Sequence, residues 1–185
     1  MAELLLPGGS ADLWVFGYGS LMWRPGFAFA ERMPARMAGW HRSLCVYSNL
    51  YRGTHERPGL VLGLDSGGSC RGVAYRVEGA AAATATLAYL RERELVHYVY
   101  RELVRPALLA DGRRVPALVY VADPRHAQYA GRLTPAERLA LVAGGAGISG
   151  TNRDYVLNTL AHLEELGVHD PELAWIAEHL EPVTP

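Results

Sequence analysis

Two stretches of the chain carry residue types that could do chemistry together. One is Gly17-Tyr18-Gly19-Ser20-Leu21, reached through the apolar run Trp14-Val15-Phe16. A short β-branched and aromatic run that meets two glycines one residue apart reads as a strand entering a tight loop. Gly17 and Gly19 leave backbone N–H groups uncovered, and such a loop can hold an anion or the oxyanion of an acyl-transfer intermediate. A plain β-turn whose glycines only supply a positive φ fits the same residues. The other stretch is Leu87-Ala88-Tyr89-Leu90-Arg91-Glu92-Arg93-Glu94-Leu95. On a helix, Glu94 shares a face with Leu87, Leu90 and Tyr98. A carboxylate in an apolar stripe is partly desolvated, which raises its pKa and makes it a better base near neutral pH. Pairing of Glu94 with Arg91 or Arg93 in a surface salt bridge is the competing reading. Glu92, whose helical neighbours include Ala88, Val96 and Val99, competes for the same role.

Other chemistries are absent from the pattern. Ser20 is not in a Gly-x-Ser-x-Gly elbow, and the glycine loop lacks the spacing of either common nucleotide-binding motif. The seven histidines form no His-x-x-x-His pair, and Cys45 and Cys70 are not spaced as a zinc pair, so no metal site is expected. All 18 basic residues are arginine, which rules out Schiff-base chemistry on a lysine. A formal net charge of −1 provides no field for nucleic acid or an acidic membrane surface. No apolar run is long enough to span a bilayer, and Met1 to Asp12 has no secretory signal character. The expected protein is soluble and cytoplasmic, with both cysteines reduced. Tyr98 and Tyr120 read as ordinary core residues.

The elements that must position these residues are legible in outline. After a tail over 1–12, residues 13–185 read as a single domain. Strand signals dominate up to Val121. They comprise the opening strand, Glu31 to Arg36, Met37 to Ser48, Leu60 to Asp65 and Cys70 to Val77, the last two joined by a turn at Ser66-Gly67-Gly68-Ser69. Val99 to Leu109 follows, with Pro106 marking an edge or bulge, and a hairpin at Asp111-Gly112 leads into Val115 to Val121. One helix interrupts the strands, from Glu78 to His97. Thr134-Pro135-Ala136-Glu137 is a capping box that opens the helical last third, where Thr151 to Leu166 and Pro171 to Leu180 follow. Hairpin-like spacings argue for an α+β fold, a mostly antiparallel sheet or small β-barrel flanked by helices.

In sum the residues resemble the ChaC-type γ-glutamylcyclotransferase family, in its bacterial members above all. The likeness runs in order through Val15 to Pro25, Gly39-Trp40-His41-Arg42, Arg52-Gly53-Thr54, Pro58-Gly59-Leu60, Gly67 to Arg76, Tyr129 to Leu133, Gly150 to Tyr155 and Asn158 to Gly167. The resemblance implies a small β-barrel with surrounding helices. It also implies cleavage of glutathione, or another γ-glutamyl compound, to 5-oxoproline and the released amine, without cofactor or metal. On that likeness the γ-glutamyl group is held by Gly17, Tyr18, Gly19, Ser20 and Leu21. The catalytic glutamate, in an Arg-Glu pair on the helix after the Gly-Val-Ala-Tyr-Arg strand, falls on Glu94; a two-residue slip would put it on Glu92. Arg52 is a candidate for pairing with a substrate carboxylate, against bonding to loop carbonyls. Tyr75 or Arg76 is a candidate pocket-lining residue, against filling the barrel.

Overall fold

A computed structural model describes residues 11–96 and 98–180. They form two compact units. The first holds the described residues up to Arg42 together with Leu64–Asp123; the second holds Ser43–Gly63 and the described residues from Pro124 onward.

The first unit is built on a closed barrel. Its strands are β1 (Leu13–Gly17), β2 (Glu31–Ser48), β3 (Gly59–Val77), β4 (Tyr100–Leu109) and β5 (Arg114–Ala122), in the order β1-β3-β2-β4-β5. β2 and β3 each continue into the second unit. β1 lies antiparallel to β3, with Val15 opposite Tyr75 and Gly17 opposite Val73, and closes the ring by pairing parallel with β5 at Trp14–Ala117 and Val15–Leu118. β4 and β5 form the hairpin expected around Asp111-Gly112, with Gly112 at φ 90°. Pro106 and Pro116 face each other in that hairpin. Neither has an N–H, so two prolines share one rung rather than spoiling two. The α+β barrel expected from the sequence is the one observed.

One expectation about the strands fails. Ser66-Gly67-Gly68-Ser69 does not reverse the chain, and β3 runs unbroken from Gly59 to Val77. Gly67 and Gly68 both have positive φ and bend the strand instead, with the His41 ring 3.2 Å from the Gly67 carbonyl. The partner of residues 73–77 is β1, a strand distant in sequence, so local turn chemistry was outweighed by a non-local ladder.

Helix α1 (Ala80–Glu94) follows β3 directly. Asp12, the last residue of the expected tail, accepts hydrogen bonds from Gly79 N and from Arg76, tying the helix start to the beginning of β1. Residues 1–10 of that tail lie outside the described residues. Ala83, Leu87 and Leu90 of α1 pack into one cluster with Leu13 and Val15 of β1, Leu21, Val77, Leu118 and Tyr120. Phe16, on the other face of β1, is equally buried, so the opening strand is covered on both sides and reads as a continuous apolar run. The helix stops at Glu94 with Leu95 as its cap, short of the expected His97, which lies outside the described residues. Tyr98 sits past the helix end at φ 54° and is 74% exposed, so it is not the core residue the periodicity suggested. Among the described residues no helix is long and apolar enough to cross a membrane.

In the second unit, α2 (Pro135–Gly144), α3 (Asn152–Glu165) and α4 (Pro171–His179) are each started by a side-chain cap: Thr134 in a full capping box with Glu137, Thr151, and Asp170. Asn152 is fully buried. Its Oδ1 accepts from Leu60 N at 2.6 Å and its Nδ2 donates to Leu60 O at 2.7 Å, extending the edge of β3 with a side-chain amide.

Leu90 carries the packing of α1 at the turn that ends in Glu94. Leu90→Ala is expected to destabilise the protein by about 2–5 kcal/mol, read as a lower denaturant midpoint at an unchanged slope.

Candidate active site

The glycine loop and Glu94 both belong to the first unit, and the apolar cluster that seats α1 also holds the loop. Leu21 is a member of that cluster, and the 3-10 turn Ser20–Met22 that follows β1 buries Leu21 and Met22. The turn is braced from several sides. Tyr75, fully buried, brings its hydroxyl 2.7 Å from Met22 O and 3.0 Å from Leu21 O. Arg42 Nε donates to Tyr18 O at 2.6 Å while its Nη2 donates to Arg71 O at 2.7 Å, clamping the loop to β3. Gly72 is obligatory here, because a side chain on it would collide with the Gly17 carbonyl and the Phe16 ring.

Those bonds consume carbonyls, not amides. The turn's own hydrogen bonds begin with Met22 N donating to Gly19 O at 2.8 Å, followed by Arg24 N to Ser20 O at 2.8 Å. The N–H groups ahead of them, on Ser20 and Leu21, are therefore not spent inside the turn. Tyr18 is nearly buried while Ser20 is exposed, so the loop presents the Ser20 residue to solvent.

Glu94 closes α1, with 20% of its side chain exposed. Burial pushes its carboxyl above the usual glutamate range, and the charge of Arg93, with Nε 3.1 Å from Glu94 Oε1, opposes that shift. Glu92, two residues earlier, is exposed. Arg91 does not pair with Glu94. It makes a bidentate pair with Glu102 of β4 at 2.8 and 2.6 Å, and Tyr120 of β5 donates to the same carboxylate at 3.1 Å. Tyr120 is thus a core residue with a polar task. Burial first, then the charge of Glu102, pushes its phenol well up, and Glu94 adds to the same shift.

The sequence offered Arg93 only as an ion-pair partner of Glu94, and that pair forms; what it missed is the reach of Arg93 to the loop. Its Nη2 donates to Ser20 Oγ at 2.9 Å, and its Nη1 donates to Arg24 O at 2.9 Å and to Tyr89 OH at 3.0 Å. The structure therefore joins the loop and the glutamate through one guanidinium. Arg52 is placed differently. It lies in the second unit, where its Nη1 donates to Ser149 O at 2.5 Å and Thr151 O at 3.3 Å and its guanidinium lies 5.4 Å from the Tyr155 ring centre. Arg76 is engaged by Asp12, Glu31 and Glu78.

Known proteins supply an independent comparison. The chain matches the model of a family described as ChaC-like protein over residues 13–182. The glutathione-specific γ-glutamylcyclotransferase of Escherichia coli (strain K12) is 37% identical, the match covering 87% of this chain and 69% of that protein. Glutathione-specific γ-glutamylcyclotransferase 1 of Homo sapiens is 34% identical over 96% of this chain and 82% of that protein. A crystal structure of a yeast γ-glutamylcyclotransferase specific to glutathione shares the fold, with a TM-score of 0.80 at 22% identity over 91% of this chain and 95% of that one.

Two outcomes are expected of this geometry. Tyr75→Phe strips a donor from two loop carbonyls and should lower stability by about 1–3 kcal/mol, measured by chemical denaturation. For Glu94, a folded-state pKa raised above the unfolded value means that its protonated form favours folding. That stability is present at acid pH and is lost as pH rises through the raised value. Glu94→Gln is therefore expected to unfold at a higher temperature than the parent at pH 7, with the gap closing toward pH 4.

Proposed function

Because the chain belongs to the ChaC-like protein family, we propose that it is a γ-glutamylcyclotransferase that converts glutathione to 5-oxoproline and cysteinylglycine. The observation that carries the reading is the direct link from the Ser20 hydroxyl through Arg93 to the Glu94 carboxylate. A donor loop and a partly desolvated base are thereby held in one frame.

The reaction suits those parts. The α-amine of the γ-glutamyl group attacks its own γ-carbonyl, closing a five-membered lactam and expelling the amine of cysteinylglycine. Both reacting groups belong to one molecule, so the main task is to hold the substrate folded in a near-attack conformer. The amine arrives as an ammonium ion. Glu94 removes one proton, and the raised pKa that burial gives it moves its basicity toward neutral pH. The freed lone pair forms the C–N bond, and the carbonyl electrons move onto oxygen. The N–H groups of Ser20 and Leu21, not used in the turn's own hydrogen bonds, are the donors assigned to that oxyanion, where one such donor is typically worth roughly 3–4 kcal/mol. Collapse of the tetrahedral intermediate breaks the old C–N bond as Glu94 gives its proton to the departing nitrogen. The Glu94 carboxylate then takes the second proton from the ring nitrogen, leaving a neutral lactam, and passes it to the released amine, which departs as ammonium. Ser20 binds and does not attack, so no acyl-enzyme forms. The scheme draws on neither a metal nor a cofactor. Cys45 and Cys70 are both buried, and among the described residues neither is in a disulfide.

Purified protein incubated with glutathione should release 5-oxoproline and cysteinylglycine in equal amounts, faster than it acts on γ-glutamyl-alanine or γ-glutamyl-lysine. Glu94→Gln should lower kcat by about 10²–10⁴-fold while the circular dichroism spectrum is unchanged. The acid limb of kcat/KM should lie above the usual glutamate range, activity falling as pH drops through it. Normal turnover by Glu94→Gln would remove Glu94 from the mechanism.

A further inference from the structure

Arg93 lies next to Glu94 in sequence, yet its side chain reaches well beyond its own helix. Nε meets Glu94 Oε1 at 3.1 Å, Nη2 donates to Ser20 Oγ at 2.9 Å, and Nη1 donates to Arg24 O at 2.9 Å, Pro25 O at 3.2 Å and Tyr89 OH at 3.0 Å. The turn at Gly26 is shaped to allow this. Gly26 has φ +78°, and a side chain there would strike the Tyr89 hydroxyl, so the Arg24–Gly26 segment can close on α1 around the guanidinium only because it is glycine. Only 22% of the Arg93 side chain is exposed, which makes this a built contact and not a surface ion pair.

A guanidinium can donate hydrogen bonds but never accept one. Ser20 Oγ is therefore the acceptor in its bond to Arg93, and its own proton is left to be donated elsewhere. Accepting from a cation also polarises the hydroxyl and strengthens it as a donor. The same cation favours the ionised form of the adjacent carboxylate.

We infer that Arg93 is a positioning residue for the cyclotransfer proposed above, fixing the Ser20 hydroxyl as a donor to an oxygen of the γ-glutamyl group and, with the same planar fork, holding Glu94 as the ionised base. The inference rests on Glu94 being that base. It assigns Ser20 a definite polarity, donor and not acceptor, and gives the arginine of the Arg93-Glu94 pair a role that lysine cannot fill. A lysine carries equal charge but donates from a single point, so it cannot address Ser20, Glu94 and the Arg24 carbonyl at once.

The charged and titratable groups around Glu94 are few among the described residues. Arg93 is on its own helix. Tyr120 faces it from β5, and the Tyr120 hydroxyl is itself committed to Glu102 of β4, which Arg91 holds. Burial raises the Glu94 pKa and Arg93 alone is seen to lower it, so removing the Arg93 charge has a determined sign.

The test is a double-mutant cycle on glutathione turnover with pH profiles, using Ser20→Ala, Arg93→Gln, Arg93→Lys and the combinations with Ser20→Ala. Ser20→Ala alone is expected to lower kcat/KM by about 10²-fold, the scale of one lost oxyanion-type donor. In the Arg93→Gln background the same change should cost under about threefold, because the hydroxyl is no longer oriented and the two effects are coupled. Arg93→Gln should also move the acid limb of kcat/KM to higher pH, whereas Arg93→Lys should keep the limb near its original place and still lose kcat. A merely structural role would lower stability without moving the limb and would leave the Ser20→Ala penalty at full size in both backgrounds; that result overturns the inference. Should Arg93→Gln fail to fold, the Arg93→Lys cycle decides alone: wild-type kcat/KM, or a full Ser20→Ala penalty in that background, overturns it. Failure of the underlying reading looks different, since Glu94→Gln would then retain turnover whatever the Arg93 variants do.

Discussion

The arrangement depends on the seating of α1 against β1 and β5. Leu87 and Leu90 meet Leu13, Val15 and Leu118 in one buried cluster that also contains Leu21 of the glycine loop. That shared cluster sets the distance between the loop and the last turn of the helix, so the polar groups of the site sit on top of a packing decision made among aliphatic side chains. Close packing transmits such positions with little slack, and it lets a residue at a helix terminus, where the backbone would otherwise fray, act as a fixed point.

Two arginine–glutamate pairs lie on this frame, and their environments differ. Glu102 accepts from a bidentate arginine and a tyrosine hydroxyl. Glu94 has a single arginine nitrogen against it and most of its side chain out of water. The first pair stiffens the barrel around the second. The two environments therefore push the carboxylates apart, one held by three hydrogen bonds and the other left mostly desolvated. Burial of the Glu94 carboxyl with so little compensation costs stability when it is ionised.

The second unit shows what a sequence motif can do for the scaffold. The Gly150 to Tyr155 stretch contributes Thr151 as a helix cap, Asn152 as a side-chain extension of β3, and Tyr155, whose hydroxyl accepts from Leu62 N. Each satisfies a backbone group that burial would otherwise leave unpaired. Arg52 belongs to the same lattice, its guanidinium bonded to the carbonyls of Ser149 and Thr151. In the first unit the same economy appears in Tyr75, whose phenol serves the loop carbonyls.

Much of this was legible in the order of the residues, and the division is physical. Thr134 with Glu137, Thr151, Asp170, the Asp111-Gly112 hairpin and the strand entering Gly17 are governed by neighbours a few positions away, so local stereochemistry determined them. The family motifs singled out the loop and the Arg93-Glu94 pair for the same reason, being short and contiguous. Tertiary structure alone decided the rest. It made β3 one bent strand where Ser66-Gly67-Gly68-Ser69 suggested a hairpin, because β1 supplied a better ladder. It exposed Tyr98, because the helix ends at Glu94 and periodicity cannot see its own termination. It also found for Arg93 an acceptor 73 positions away on Ser20. Burial and long-range hydrogen-bond partners are properties of the folded chain's neighbours in space, and no local pattern in the sequence contains them.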